Sequence, residues 1–162
     1  MSRDDTRKAA CTDPYHACCY AKDVDKKPRD DTREVACKDP GCACGYAKNI
    51  DKKPRDDTRN AACKDPHWAF RYARDVDKKP HKDTREAACR EPEYAWRYAK
   101  YVDRYARDDT RKAACKNARY AYKYARDIDK GFHEDTWKVI KNTKYEKEYN
   151  YFINQIEKEK II

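Results

Sequence analysis

Residues 55–80 read RDDTRNAACKDPHWAFRYARDVDKKP, and the 26 residues on each side read almost the same: RDDTREVACKDPGCACGYAKNIDKKP at 29–54 and HKDTREAACREPEYAWRYAKYVDRYA at 81–106. Working outward, RDDTRKAACTDPYHACCYAKDVDKKP fills 3–28 and RDDTRKAACKNARYAYKYARDIDKGF fills 107–132. A sixth copy opens as HEDTWKVIKN at His133 and then drifts into a longer stretch that lacks the Cys, Pro and Ala landmarks, as a terminal cap would. Periods of this size mark stacked supersecondary units, each unable to bury its apolar face alone.

Each copy reads as two short helices. The first is expected to open at Asp5, Asp31, Asp57, Asp83, Asp109 and Asp135 as N-caps, with Glu34 and Glu86 three residues on, at capping-box spacing. The second opens with Asp13-Pro14, Asp39-Pro40, Asp65-Pro66 and Glu91-Pro92, an acidic cap followed by Pro in the first helical position, and with Asn117-Ala118 in copy five. Along it, Ala17, Tyr20, Ala21 and Val24 fall at i, i+3, i+4 and i+7, and the quartet recurs through Ala121, Tyr124, Ala125 and Ile128. The KKPRDD segments should then stop the helix, because the residue before Pro is biased away from α. The expected fold is all-α: an α-solenoid of tandem 26-residue helix-turn-helix repeats with a longer C-terminal capping helix, forming a single repeat domain over residues 1–162.

Composition agrees with such a stack. The 162 residues hold 21 Ala, 14 Tyr and 9 Cys but no Leu, so the core must be built from small residues and tyrosine. Charged residues make up 43% of the chain, yet the net charge is only +9 and the apolar residues are periodic, which argues against disorder. No apolar run approaches a membrane span or a signal-peptide core, so the expectation is a cytoplasmic protein with no membrane partner. With three Gly and one Ser (Ser2), phosphate-cradling loops and serine nucleophiles are not expected.

The pattern DxTRxAACxxPxxAxxYAxxVD, present across residues 3–132, resembles short two-helix tandem repeats found in proteins of bacteriophages and large DNA viruses. The resemblance implies an α-solenoid of viral origin, acting in the host-cell cytoplasm. It carries no functional residue with it.

Cys11, Cys37, Cys63, Cys89 and Cys115 share one repeat position and read as buried small hydrophobes. Four more, Cys18, Cys19, Cys42 and Cys44, gather in the first two copies beside His16. His16, Cys19, Cys42 and Cys44 could serve as a zinc set. However, Cys18 and Cys44 occupy the position of Phe70, Trp96 and Tyr122, so packing explains them without a metal. No cofactor is therefore expected. The recurring Arg7, Arg33, Arg59, Arg85 and Arg111 invite a phosphate-binding ladder, but Asp25, Asp51, Asp77, Asp103 and Asp129 supply one carboxylate per copy. Ion pairing between repeats is the preferred reading, with Arg59 reaching Asp51 or Asp77. The paired acids Asp4/Asp5 and Asp30/Asp31 lack a companion nucleophile at fixed spacing, and an enzyme is not expected.

The positions that vary while the rest of the repeat stays constant are the candidate binding residues: Tyr15, His16, His67, Trp68, Arg71, Glu93, Tyr94, Arg97, Arg119, Tyr120 and Lys123. Aromatics beside cations are the composition of interface hot spots, although relaxed surface drift produces such a row as well. The expected function is thus a non-catalytic protein-interaction module, a viral protein binding a host protein, with Trp68 pointing outward to the partner. The alternative is a nucleic-acid-binding repeat protein in which Trp68, Tyr94 and Tyr120 stack bases and Arg71, Arg97 and Lys123 meet phosphates. Each copy interleaves acid with base, and only copy five is strongly basic, with eight basic residues against four acidic, which disfavours a continuous basic groove.

Overall fold

The structure, a computed structural model, describes residues 3–159; Met1, Ser2 and residues 160–162 of the expected domain lie outside the described residues. Only helices occur among the described residues, and they recur with the period of the sequence. Copy one forms α1 (Arg3–Ala10) and α2 (Pro14–Tyr20), copy two α3 (Asp30–Ala36) and α4 (Pro40–Tyr46), and copy three α5 (Asp56–Ala62) and α6 (Pro66–Tyr72). Copies four and five form α7 (Lys82–Ala88), α8 (Pro92–Tyr98), α9 (Asp108–Ala114) and α10 (Ala118–Tyr124), and the sixth unit forms α11 (Glu134–Ile140) and the longer α12 (Glu146–Glu159). The chain adopts the expected all-α helical-repeat class. It divides into two compact units, one ending at Ala87 and the other starting at Ala88. In the first unit α2 packs on α3 and α4 on α5; in the second α8 packs on α9 and α10 on α11. None of these helices is long and apolar enough to cross a membrane.

The stripe read from the sequence is the core. Ala17, Ala21, Ala43, Ala47, Ala69, Ala73, Ala95, Ala99, Ala121 and Ala125 are fully buried, as are Tyr46, Tyr72, Tyr98 and Tyr124. A phenol taken out of water needs a hydrogen-bond partner. The Thr of the DTR motif provides it in copies two, three and five: Thr32, Thr58 and Thr110, fully buried, meet the hydroxyls of Tyr46, Tyr72 and Tyr124 at 2.8, 2.8 and 2.9 Å. In the sixth unit a buried tyrosine again meets the start of the first helix, despite the drifted sequence. Tyr149 accepts from the His133 N–H at 3.4 Å, stacks on Trp137, and is buried beside Ile140 and Ala125.

The same tyrosines change how the first helices begin. Asp31, Asp57 and Asp109 are not N-caps: the cap residues are Arg29, Arg55 and Arg107, in extended conformation, and the paired acids lie within the first helical turn. The Arg29 and Arg55 N–H groups donate to Tyr46 and Tyr72 hydroxyls at 2.9 and 3.0 Å, so a tertiary contact fixes the start of the helix, and two acids in its first turn favour the positive end of its dipole. With Asp31 and Asp83 inside their helices, the capping boxes expected with Glu34 and Glu86 do not form at those positions. Second-helix caps are as expected: Asp13, Asp39, Asp65 and Asn117 accept backbone N–H groups of their helices, while Glu91 holds the cap position without a side-chain bond to the helix.

Helix termination also departs from the expectation. In copies one to five the second helix widens into a π-helical turn (Ala21–Asp25, Ala47–Asp51, Ala73–Asp77, Ala99–Asp103, Ala125–Asp129) and ends on a left-handed residue: Lys26, Lys52, Lys78, Arg104 or Lys130. Copy four, which lacks the Lys-Lys-Pro sequence, ends the same way, with the Arg104 N–H bonded to the Ala99 carbonyl at 2.8 Å. Proline is therefore not the terminator. Left-handed backbone costs a non-Gly residue about 1–2 kcal/mol, and the surrounding lattice must supply it.

The π turn delivers the copy's second carboxylate to its arginine. Arg59 is bidentate to Asp77, with Nη2 to Oδ1 at 2.8 Å and Nε to Oδ2 at 3.2 Å, and Arg111 grips Asp129 in the same manner. These pairs lie within one copy. Pairing between copies, the expected form, is added in the first unit, where Arg7 reaches Asp31 at 2.9 Å and Arg33 reaches Asp57 at 3.0 Å. The recurring Cys37, Cys63 and Cys115 are half-buried C-cap residues rather than core, because the helix ends at them instead of carrying them along its packed face.

Candidate functional site

The variable row is split: Tyr15, His16 and Arg119 are exposed, while others lie between neighbouring copies. His16, Cys42, Trp68, Tyr94 and Tyr120 share one repeat position. Within each unit, side chains at this position pack back onto the preceding copy. Cys42 lies against Cys18, whose thiol points at the Cys42 carbonyl at 3.5 Å. Trp68 packs on the cluster of Cys44, Ala47, Ala62, Tyr72 and Val76, and Tyr120 on that of Trp96, Ala99, Ala114 and Tyr124. Trp68 is thus half-buried against its own repeats, and the expectation that it points outward is corrected. The reason is steric: residue 41 is Gly, and the indole lies on its backbone, so close that a Cβ there would stand 2.8 Å from Trp68 Cζ2.

In copies four and five this interface is a filled aromatic box. Trp96, only 8% exposed, lies between two cations, Lys123 Nζ at 4.4 Å and Lys100 Nζ at 5.2 Å from its ring centroid. Its indole N–H donates to Asp127 at 3.2 Å, and Lys100 pairs with the same Asp127 carboxylate at 2.8 Å. Glu93 accepts from the Tyr120 hydroxyl at 2.8 Å and pairs with Arg97 at 2.7 Å. The Tyr120 hydroxyl bond, resisted by burial and aided by Arg97, holds the Glu93 carboxyl below its ordinary range; burial and the nearby Arg119 push Lys123 down. Arg97, Lys123 and Tyr120, read from sequence as partner-facing, are engaged inside the lattice, as is Arg71, which lies over the Trp68 ring at 5.3 Å.

The corresponding interface of copies one and two is open. A groove of about 450 Å³ is lined by Tyr15, Cys18, Cys19, Cys42, Gly45 and Ile50, together with Trp68, Gly41 and the exposed Lys22, Asp39 and Asn49. This volume falls within the usual ~300–1,000 Å³ range of ligand pockets. Tyr15 is 66% exposed at its edge. Burial pushes the Cys18 thiol up to about 12 and the Cys42 thiol up to about 11, so both present neutral, polarizable surface.

The residues read as a zinc set do not converge. Cys44 is buried in the cluster behind Trp68, whereas the His16 side chain is 69% exposed and sits 3.7 Å from Asp13. Among the described residues no three His, Cys, Asp or Glu side chains gather as a metal site. Conversely, sequence reasoning missed Trp96, Lys100, Asp127, Lys22 and Asn49 as parts of one recurring interface. The available signal was size variation at equivalent positions, Cys18 and Cys44 against Phe70, Trp96 and Tyr122.

The two glycines of the groove give opposite expectations. At Gly45 a Cβ would meet nothing within 4 Å, so Gly45→Ala should stabilise the chain by about 0.5–1 kcal/mol through helix propensity. Gly41→Ala should destabilise it by about 1–3 kcal/mol, because the Trp68 indole must leave its seat. Urea melts of the two variants check the contrast, and equal midpoints would refute it.

No protein-family model matches the sequence, and no curated protein or solved structure matches it either.

Proposed function

We propose that this chain is a non-catalytic protein-interaction module whose binding surface is the groove of copies one and two. The observation that carries the reading is the contrast between equivalent interfaces: Trp96 and Tyr120 close the one in copies four and five, while Cys18, Cys42 and Gly45 leave an apolar groove open in copies one and two. Half-buried, neutral thiols and an exposed tyrosine are surface for packing against a partner side chain. The likeness of the repeat to those of bacteriophages and large DNA viruses supports a viral protein engaging a host protein. The cations of copies four and five, occupied by Glu93, Asp127 and ring faces, weigh against the alternative of nucleic acid.

The test is capture from nuclease-treated host lysate on the immobilised chain, beside Gly45→Arg. That variant places in the groove the residue found at the equivalent positions 71 and 97, so it is compatible with the repeat. A protein retained by the wild type and lost with Gly45→Arg is the expected result. Capture that vanishes on nuclease treatment would assign nucleic acid instead.

A further inference from the structure

The open groove and the filled box are the same site in two states of completion, and the missing pieces specify the ligand. Position by position, Cys18 stands where Trp96 does, Cys42 where Tyr120 does, Gly45 where Lys123 does, Lys22 where Lys100 does, and Asn49 where Asp127 does. The open site therefore lacks an indole, a phenol and one carboxylate. The carboxylate matters most for specificity. In copies two and three Lys48 pairs with Asp75 at 3.3 Å, and in copies four and five Lys100 pairs with Asp127 at 2.8 Å. Lys22 lines the open groove together with Asn49, which stands at the repeat position of Asp75 and Asp127 and carries no charge.

We infer that the groove takes a protein segment presenting a large aromatic side chain, tryptophan above all, with an acidic side chain close beside it. The aromatic ring fills the volume left by Cys18, Cys42 and Gly45, against Trp68 and Ile50 on the groove wall. The carboxylate completes the pair with Lys22, as Asp127 does for Lys100, where it also accepts the indole N–H. An arginine or lysine at the same place would meet Lys22 as a like charge, so an acidic residue is favoured there over a basic one. This inference rests on the interaction-module reading and names the chemistry of its partner.

The experiment uses the full chain, isotopically labelled, and three blocked tetrapeptides: acetyl-Gly-Trp-Asp-Gly-amide, the same with Lys for Asp, and the same with Ala for Trp. Binding is read from backbone amide shifts of Lys22, Gly41 and Gly45. The Trp-Asp peptide should shift all three amides, the Trp-Lys peptide should bind at least about fivefold more weakly, and the Ala-Asp peptide should leave the groove unshifted. Asn49→Asp, which supplies Lys22 with an internal carboxylate, should bring the two Trp peptides within about twofold of each other. The filling variant Cys18→Trp/Cys42→Tyr/Gly45→Lys should abolish the shifts with helical circular dichroism retained; should it fail to fold, Gly45→Lys alone provides the blocked groove.

Equal binding of the Asp and Lys peptides, binding of the Ala peptide, or absence of shifts at Gly41 and Gly45 would each overturn the inference. Failure here, together with lysate capture that remains sensitive to Gly45→Arg, would overturn the ligand chemistry and leave the interaction-module reading standing.

Discussion

Arg59→Ala should lower the unfolding free energy by about 3–5 kcal/mol, the usual consequence of removing one partner of a buried ion pair. The Asp77 side chain is fully buried, and the Arg59 guanidinium, itself 10% exposed, covers it through both oxygens. Without it the carboxylate is left charged and dry at the end of a π turn, beside the left-handed Lys78. The guanidinium also lies over the Tyr72 ring at 5.7 Å, so the loss spreads into the core. Lys48→Ala is the comparison: that lysine also pairs with an aspartate, but its side chain is 48% exposed and the expected cost is at most about 1 kcal/mol. Urea denaturation followed by circular dichroism checks both variants. An Arg59→Ala midpoint equal to that of Lys48→Ala would show that the buried pair does not hold the repeat. In a double-mutant cycle, Arg59→Ala with Asp77→Ala should cost less than the sum of the single changes, because no orphaned charge remains.

Tyr72→Ala should cost at least as much, about 3–5 kcal/mol, through the cavity left by a fully buried ring. Tyr72→Phe isolates the hydroxyl and should cost about 1–3 kcal/mol, since it strands buried polar groups while preserving the packing. The hydroxyl meets Thr58 Oγ1 at 2.8 Å, accepts from the Arg55 N–H at 3.0 Å and donates to the Arg55 carbonyl at 3.1 Å. Its loss therefore releases the first turn of α5 as well as a side chain. Hydrogen exchange should show faster exchange at the Arg55 amide in Tyr72→Phe, with the amides along α6 less affected. Unchanged stability and exchange in Tyr72→Phe would mean that the threonine and tyrosine hydroxyls merely coincide.

Much of this architecture is legible without coordinates because it is local and repeated. The alanine stripe of the second helices, their acidic caps and the 26-residue period are properties of neighbouring residues, and helix periodicity translates them directly into structure. Expectations failed where a residue's role depends on another copy or another helix. The Asp of each DTR motif reads as a cap, yet Tyr46 and Tyr72 hydroxyls from the following helices fix those termini 17 residues away. The threonines of the motif received no role from the sequence and are fully buried partners of tyrosines 14 residues on. The Lys-Lys-Pro terminators look obligatory, but copy four shows that the π turn and left-handed residue suffice.

The sequence by itself determined that this is an all-α repeat protein, which residues line its core, and that its variable row is aromatic and basic. Tertiary structure alone decided that Trp68 and Tyr120 of this row pack back on the preceding copy instead of pointing away from it, and that a half-buried Trp68 rests on Gly41. The physical reason lies in what a groove is made of. Cys18, Cys42 and Gly45 are small side chains on two different copies, and none of them signals a cavity in its own sequence neighbourhood. Only when stacking brings α2 and α4 together do their missing atoms fall into one volume, with Lys22 and Asn49 among its lining residues.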